Sequence, residues 1–250
     1  MRIAPILLLL CLVLPFAVTG AESLQLAEDL KVSQLDAHTW LHVSGLARQN
    51  SSAAPANGLI LEQGNILVII DTPWTLAQTA ALLDWATAKF EKPVAYVIAT
   101  HGHRDQVGGA AVLANRNIPI FMHATALDFA DAPVLSKDLV RELNLRAGGN
   151  FVLNNLEIFF PGHGHAPGNL VIYLPATKTL FGGCLVKAAA ASSLGNVQEA
   201  SIAGWQYAIN AMLKNYPKAI TVVPGHGEPG DYSLLAHTLE LLRAREPEQP

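Results

Sequence analysis

Four short apolar segments of this chain each end just before a side chain that can bind a metal. The segments are residues 94–99, 156–160, 179–181 and 220–223, and they are followed by His101, His165, Cys184 and His226. Open α/β sheets collect ligand sites at the carboxyl ends of their strands, and glycines beside most of these residues let the backbone approach closely. The sequence therefore predicts an α/β fold whose strand ends form a metal site, with enough ligands for two ions.

The densest part of this pattern is the segment Thr100-His101-Gly102-His103-Arg104-Asp105, which holds two imidazoles and a carboxylate within five residues. Neutral imidazole and carboxylate are the usual nitrogen and oxygen ligands of zinc. A cluster of this composition could also be polar surface in a loop. The potential ligands that follow the later strands favour the metal site.

Residues 1–20 have the pattern of a secretory signal peptide. Met1-Arg2 is a short positive start, residues 3–16 are almost wholly apolar, and residues 17–21 are small enough for cleavage. A membrane anchor is the alternative, although the apolar run is short for a span. We expect cleavage after Gly20 or Ala21, a periplasmic location, and a single domain over residues 21–250.

The charge and cysteine content exclude several classes of protein. The chain has 16 Lys and Arg against 20 Asp and Glu, without a basic stripe for nucleic acid or a second apolar run for a bilayer. Cleavage would remove Cys11 and leave Cys184 unpaired in an oxidising compartment. A zinc thiolate explains Cys184, and a buried inert cysteine is the alternative. Nothing indicates an obligate partner, so we expect a monomer.

The hydrophobic patterns predict a layered arrangement. Helices are predicted over residues 75–90, 107–116, 200–215 and 233–243. Strands are predicted over residues 39–45, 58–62, 65–71, 94–99, 118–122, 150–153, 156–160, 170–174, 179–181 and 220–223, with a polar, mobile loop over residues 48–57. There are too many strands for one small sheet, and the helices need a sheet to pack on. Two face-to-face sheets with helices outside satisfy both conditions.

The motifs resemble those of the metallo-β-lactamases, and specifically of their first subclass, the dizinc broad-spectrum enzymes. The resemblance extends from about Leu41 to the final helix. Its ordered matches are Asp71-Thr72-Pro73-Trp74, the His101–Asp105 loop with Val107-Gly108-Gly109, Gly164-His165 with Asn169, Gly182-Gly183-Cys184-Leu185-Val186-Lys187, Leu194-Gly195-Asn196 and Val223-Pro224-Gly225-His226-Gly227. It implies an αβ/βα four-layer sandwich, in which two mixed β-sheets have helices on their outer faces.

The resemblance also implies the ligands of two zinc ions. The first zinc would be bound by His101, His103 and His165, and the second by Asp105, Cys184 and His226. Related hydrolases, such as thioesterases and lactonases, usually have histidine where this chain has Gln106, and generally lack a cysteine at position 184. The monozinc carbapenemase subclass has asparagine where this chain has His101.

A chemistry follows from the same resemblance. It implies hydrolysis of the β-lactam amide of penicillins, cephalosporins and carbapenems by zinc-bound hydroxide, with the second zinc stabilising the leaving nitrogen, and hence antibiotic resistance. Asp105 would help orient the hydroxide. Lys187 would pair with the substrate carboxylate, and a solvated surface lysine is the alternative. Asn196 would help to place the lactam, or be a plain turn residue. Another zinc hydrolase of the same fold and a non-catalytic zinc-binding protein are the competing functions.

Several residues near the motifs have alternative roles. Asp71 is predicted to support the metal loop, and a cap for the helix that begins near Thr75 is the alternative. His163 is predicted to be an exposed loop residue, with a spare zinc ligand as the alternative. Gly168 stands where the family often has aspartate. Arg104 and Gln106 flank Asp105, where their side chains can tune the surroundings of the second metal, but the sequence does not say how. The other histidines, for which structural or surface roles are expected, are His38, His42, His123 and His237.

Overall fold

The fold contains two mixed β-sheets, and a computed structural model describes residues 23–46, 53–132, 135 and 137–245 of it. The first sheet has eight strands in chain order: β1 (Ser23–Ala27), β2 (Leu30–Asp36), β3 (Thr39–Ser44), β4 (Ala56–Gln63), β5 (Ile66–Ile70), β6 (Val94–Ile98), β7 (Ile120–His123) and β8 (Val140–Leu143). Strands β1 to β5 pair antiparallel, and β5 to β8 pair parallel.

The second sheet has five strands and is antiparallel except at one edge. The strands are β9 (Gly149–Leu153), β10 (Leu156–Phe160), β11 (Val171–Leu174), β12 (Thr179–Gly183) and β13 (Thr221–Pro224). Their order is β13-β12-β11-β10-β9, and β12 pairs parallel with β13. The helices are α1 (Leu76–Phe90), α2 (Arg104–Val107), α3 (Ala110–Asn115), α4 (Ala124–Asp128), α5 (Ile202–Asn215) and α6 (Ser233–Arg245).

Three apolar layers hold these elements together. Between the sheets, side chains such as Ile70 and Ile98 of the first sheet pack with Ile172 and Phe181 of the second. The opposite face of the first sheet packs on α1 and α3, and that of the second on α5 and α6. The order helix, sheet, sheet, helix confirms the predicted four-layer sandwich.

Strand β5 is apolar throughout, which predicts that it is covered on both faces, and the structure confirms this prediction. Leu67 and Ile69 lie in the layer under the helices, whereas Val68 and Ile70 lie in the layer between the sheets. Alternate side chains point to opposite faces of a strand, so burial on both faces requires apolar residues throughout.

The 3.6-residue spacing of apolar residues predicts one apolar stripe along α1, formed by Leu76, Ala80, Leu83, Ala86 and Phe90. This prediction is partly wrong. Thr75 caps the helix by accepting a hydrogen bond from the backbone N–H of Gln78, and Leu76, in the first turn, is 50% exposed. The buried face instead includes Gln78, whose amide donates to backbone carbonyls of Asp29 and Gly45. Hydrogen bonds, which periodicity does not report, thus contribute to the orientation of the helix.

Other predicted boundaries also differ from the structure. The helix expected over residues 107–116 is two short helices, α2 and α3, separated at Gly108-Gly109, and α2 begins inside the ligand motif. Strands β1, β2 and β8 and helix α4 were not predicted; the edge strand β1, for example, has three exposed residues and lacks a strong apolar pattern. Residues 56–57 of the predicted loop belong to β4.

Two sequence predictions concern parts of the chain outside the described residues. These are the signal peptide over residues 1–20 and most of the polar loop, of which residues 53–57 are described. Within the described ranges, the helices are too short or too polar to cross a membrane.

Candidate metal centre

Three imidazoles converge at the sheet edge predicted from the sequence. His101 follows β6, His103 is the residue before α2, and His165 follows β10. The distance from His103 Nδ1 to His101 Nε2 is 3.0 Å, and that to His165 Nε2 is 3.1 Å. The three rings stand nearly perpendicular to one another, so one nitrogen of each ring faces a common point.

Burial keeps this group in the state that binds a metal. It lowers the pKa of His101 to about 3 and the pKa of His165 well below its usual value of 6.5. Neutral imidazole is the form that coordinates zinc. The three imidazole nitrogens point at one position, and burial keeps His101 and His165 neutral. This set of donors can bind one cation.

The second group lies next to the first and consists of Asp105, Cys184 and His226. His226 Nε2 lies 3.1 Å from Asp105 Oδ2 and 3.4 Å from Cys184 Sγ. Cys184 Sγ and Asp105 Oδ2 are 3.9 Å apart. Each group has ligand atoms within 4.8 Å of one another, so the structure assembles the six predicted ligands as two sets of three.

Without a metal, the second group is held together by charge. Burial lowers the pKa of His226, but Cys184 and Asp105 overcome this effect and raise it to about 11. For Asp105 the effects have the opposite sign. Burial raises the pKa of its carboxyl group, but the hydrogen bond with His226 and the charges of the imidazoles outweigh burial and lower this pKa below its usual value. An imidazolium therefore occupies the place of a cation, and a metal that binds there must displace its proton.

The pairing of β12 with β13 brings Cys184 and His226 together. Gly225 directly follows β13, and its N–H donates to the carbonyl of Gly183, the last residue of β12, at 2.7 Å. A Cβ on Gly225 would lie 2.5 Å from Cys184 Sγ and 2.6 Å from Cys184 N. Position 225 therefore requires glycine for the thiol and the imidazole to approach each other.

Asp71 supports the metal loop through Thr100. Its fully buried carboxylate accepts hydrogen bonds from Thr100 N at 2.7 Å and Thr100 Oγ1 at 2.8 Å. Thr100 Oγ1 lies 3.2 Å from His101 Nδ1, the nitrogen on the side of the ring away from the other ligands. Since Thr75 caps α1, the alternative role of Asp71 as a helix cap is wrong.

Glu199 is a contact of the site that the sequence analysis missed. Its Oε2 lies 3.1 Å from His103 Nε2, while His103 Nδ1 faces the other two histidines. A carboxylate on the far nitrogen orients a ligand histidine and fixes its tautomer. Glu199 is three residues beyond Asn196 in a loop, and no regular spacing connects it with the ligands.

Residues 55–57 make contacts around His226 that the sequence patterns do not indicate. Pro55 O accepts a hydrogen bond from His226 Nδ1 at 3.0 Å. The buried amide of Asn57 donates to Pro224 O at 2.9 Å and to Gly227 O at 2.7 Å, on either side of the histidine. The C-terminal end of the polar loop is therefore joined to a ligand of the second group.

A cavity of about 650 Å³ is lined by four of the six ligands and by Lys187 and Asn196. The ammonium of Lys187 lies 5.2 Å from the centroid of the Trp205 ring, and burial lowers the pKa of Lys187. Asn196 Oδ1 accepts a hydrogen bond from Gln198 N at 3.1 Å. Asn196 therefore stabilises its own turn and also lines the cavity.

The remaining residues that the sequence singled out lie outside the two groups. His163 is exposed, and its Nδ1 accepts a hydrogen bond from Gly168 N at 3.2 Å. Gly168 has φ of +70°, and a Cβ there would lie 2.6 Å from the backbone nitrogen of Ala126. A side chain such as aspartate would not fit this position. Arg104 lines the cavity, and its N–H donates to Asp131 at 3.3 Å.

The other four histidines have the structural or surface surroundings expected of them. His38 is exposed and pairs with Glu62, and buried His42 lies within hydrogen-bonding distance of the carbonyls of Ile70 and Asp71. The other two rings each have a backbone carbonyl as partner: His123 contacts Leu145 O at 2.9 Å and His237 contacts Ala191 O at 2.9 Å.

Known proteins share both the sequence and the fold. The profile of the metallo-beta-lactamase superfamily matches residues 53–226. A metallo-beta-lactamase type 2 from Bacillus sp. (strain 170) is 40% identical over 217 residues, which are 86% of this chain and 82% of that protein.

Solved structures give the same result. A metallo-beta-lactamase from Pontibacter korlensis, 36% identical, superposes with a TM-score of 0.79 over 86% of this chain and 100% of that one. The metallo-beta-lactamase FIM-1 from Pseudomonas aeruginosa in its mono-zinc form, 31% identical, has a TM-score of 0.80 over 86% of this chain and 95% of that one. This chain, with the ligand pattern of those hydrolases, belongs to the metallo-beta-lactamase superfamily.

Proposed function

We propose that the protein hydrolyses the β-lactam amide of penicillins, cephalosporins and carbapenems, and so confers resistance to them. The observation that carries this proposal is one cavity of about 650 Å³ lined both by residues of the two ligand groups and by Lys187. Substrates of this class have a carboxylate close to a strained amide, so a cation beside a metal centre is suited to them. The volume is in the range of small-molecule sites.

The two ligand groups would each hold one zinc ion. Zinc supplies a water of lowered pKa as nucleophile and a positive charge that stabilises the leaving nitrogen. Two groups of three ligands, adjacent and sharing no residue, support a site for two ions. Three protein ligands per ion also leave coordination positions for water and substrate, as hydrolytic zinc sites require. FIM-1 was solved with a single zinc, so the number of ions needed for activity is part of the test.

The side chains around the cavity would position the substrate. The ammonium of Lys187 lies beside the Trp205 ring and would bind the carboxylate. Asn196 would use its amide near the lactam carbonyl. The carboxylate of Asp105, at the boundary between the two groups, would accept a hydrogen bond from the attacking water and so orient it.

The test is the ultraviolet absorbance of a carbapenem incubated with purified protein, first as isolated, then after EDTA, then with zinc restored at one and at two equivalents. We expect hydrolysis that stops with the chelator and returns with zinc. If zinc-loaded protein left all three β-lactam classes intact, the proposal would be wrong. Turnover of a glutathione thioester or a lactone under the same conditions would then indicate a sister hydrolase, and bound zinc without any turnover a zinc-binding protein.

We further propose that the protein is exported and acts as a soluble monomer in the periplasm. The support is the signal-peptide pattern of residues 1–20, whose cleavage would remove Cys11 and leave Cys184 unpaired among candidate metal ligands. Fractionation of cells that produce the full chain, with N-terminal sequencing of the mature protein, tests the cleavage. A protein that kept residues 1–20 in the membrane fraction would contradict it. The mass of the purified protein in solution tests the monomer.

A further inference from the structure

We propose that Gln106 is a positioning residue of the second metal site, whose amide N–H groups bridge the carboxylate of Asp105 and the thiolate of Cys184. This inference rests on the proposed binding of a second zinc. It assigns a role to a residue that is not itself a ligand.

The contacts of Gln106 are specific. Its side chain is fully buried, and Nε2 lies 3.1 Å from Asp105 Oδ2 and 3.6 Å from Cys184 Sγ. The backbone around it is fixed, because Gln106 N donates to His103 O at 2.9 Å and Gln106 O accepts from Thr72 N at 2.8 Å. The amide is therefore held against two of the three ligands of this group.

Electrostatics determine which end of the amide faces the ligands. The opposite orientation would place Oε1 against a carboxylate and a sulfur that becomes a thiolate with metal bound, and no hydrogen bond could form. With Nε2 in that position, one amide can donate a proton to each anion.

The Oε1 end of the same amide shows that packing alone does not explain a glutamine at position 106. Gln106 Oε1 is buried without a hydrogen-bond partner in the described part of the chain. A buried carbonyl without a partner is destabilising, and methionine would fill a similar volume without this cost. The contact of Nε2 with the two anionic ligands explains why an amide stands there.

Hydrogen bonds to ligand atoms orient them and change how much charge they donate to the metal. Loss of the amide should loosen Asp105 and Cys184 and weaken metal binding at the second site. It should also raise the energy of the sulfur electrons, so that the thiolate-to-metal charge-transfer band moves to longer wavelength. The three-histidine site, which Gln106 Nε2 does not contact, should not change.

The test is a titration of metal-free wild-type and Gln106→Met proteins with cobalt(II). The charge-transfer band of a cobalt thiolate reports only the site that contains Cys184, and the visible bands of cobalt report both sites. For Gln106→Met we expect the thiolate band at about 10-fold higher free cobalt and at longer wavelength, with the visible bands of the first site unchanged. Gln106→Asn, which keeps an amide farther from the ligands, should give a smaller shift of the same sign.

Gln78→Met is the matched control, because it also removes a buried amide that donates hydrogen bonds. The acceptors of Gln78 are backbone carbonyls, such as those of Asp29 and Gly45, and not metal ligands. This substitution should lower thermal stability without moving the thiolate band. The proposal is overturned if folded Gln106→Met or Gln106→Asn binds cobalt with the wild-type affinity and spectrum, or if Gln78→Met shifts the band equally. Wild-type protein without any thiolate band would instead contradict the second metal, and with it this inference, whatever its β-lactamase activity.

Discussion

The imidazole of His103 stands between the metal centre and the carboxylate of Glu199. Its Nδ1 is 3.0 Å from His101 Nε2, and its Nε2 is 3.1 Å from Glu199 Oε2. The carboxylate side chain is 36% exposed, whereas that of His103 is 15% exposed. A residue at the edge of solvent therefore orients a ligand inside the site.

Replacement of this carboxylate should weaken the first metal site. In Glu199→Ala the far nitrogen of His103 loses its acceptor, and we expect about 10-fold weaker zinc binding. Competition with a chromophoric chelator at one equivalent of zinc measures the affinity. The control is Glu240→Ala, which removes the same charge from an exposed position on α6. Equal affinities for both variants would contradict the role of Glu199.

The hydroxyl of Thr100 should stabilise the metal-free fold. Thr100→Val keeps the shape of the side chain and removes the donor to Asp71 Oδ2, leaving a buried carboxylate oxygen with one hydrogen bond fewer. We expect the free energy of unfolding to fall by about 1–3 kcal/mol, measured by urea denaturation in EDTA. Thr79→Val is the control, since the buried Thr79 hydroxyl has no partner in the described part of the chain; its stability should be unchanged or higher. The same loss in both variants would exclude a specific role for the Asp71 contact.

Lys187 should contribute to substrate binding more than to turnover. Lys187→Met keeps an unbranched apolar side chain next to Trp205 but has no charge for the substrate carboxylate. We expect KM for a penicillin to rise about 10- to 100-fold, with a smaller change in kcat. Lys218→Met, at an exposed position, is the control in the same steady-state assay. An esterified penicillin should be hydrolysed equally by wild type and Lys187→Met; a defect that persisted with the ester would indicate a structural role instead.

The metal-free protein should lose stability as the pH falls through the range of its buried histidines. Burial lowers the pKa of His42 from 6.5 to about 4, so the unfolded chain binds a proton in this range before the folded chain does. The contribution of His42 is therefore complete above pH 6.5 and declines toward pH 4, by about 2 kcal/mol between pH 7.5 and pH 5.

His42→Gln, which retains a hydrogen-bond donor, tests this sign. Its free energy of unfolding in EDTA, measured with urea at pH 7.5 and pH 5, should change less with pH than that of wild type. His38→Gln is the control, because it makes the same substitution at a side chain that is 70% exposed; an equal change in pH dependence in both variants would contradict the role of His42. A steeper dependence in His42→Gln would show that His42 is not buried in its neutral form.

The strand ends that carry ligands were predictable because a few consecutive residues are enough to indicate them. A run of apolar residues that ends in glycine and a ligand indicates both a buried strand and the residue that follows it, as at Cys184 and His226. The double burial of β5 was predictable for the same reason. The roles of Lys187 and Asn196 came from the resemblance to a family and stay predictions. The start of α2 within the ligand motif, and the hydrogen bonds that orient α1, were not predictable from periodicity.

The sequence by itself determined the ligand types, their order, the sandwich and the family. Only the tertiary structure decided how the ligands are held, because those contacts join segments far apart in the chain. Asp71 reaches Thr100 from the neighbouring strand, Pro55 O receives a hydrogen bond from His226, and Glu199 faces His103. Each is a polar contact at the end of a loop, with no repeating pattern in sequence. Gln106 lies next to a ligand in sequence, yet its contact with Cys184 exists only because β6 and β12 end at the same edge of the sandwich.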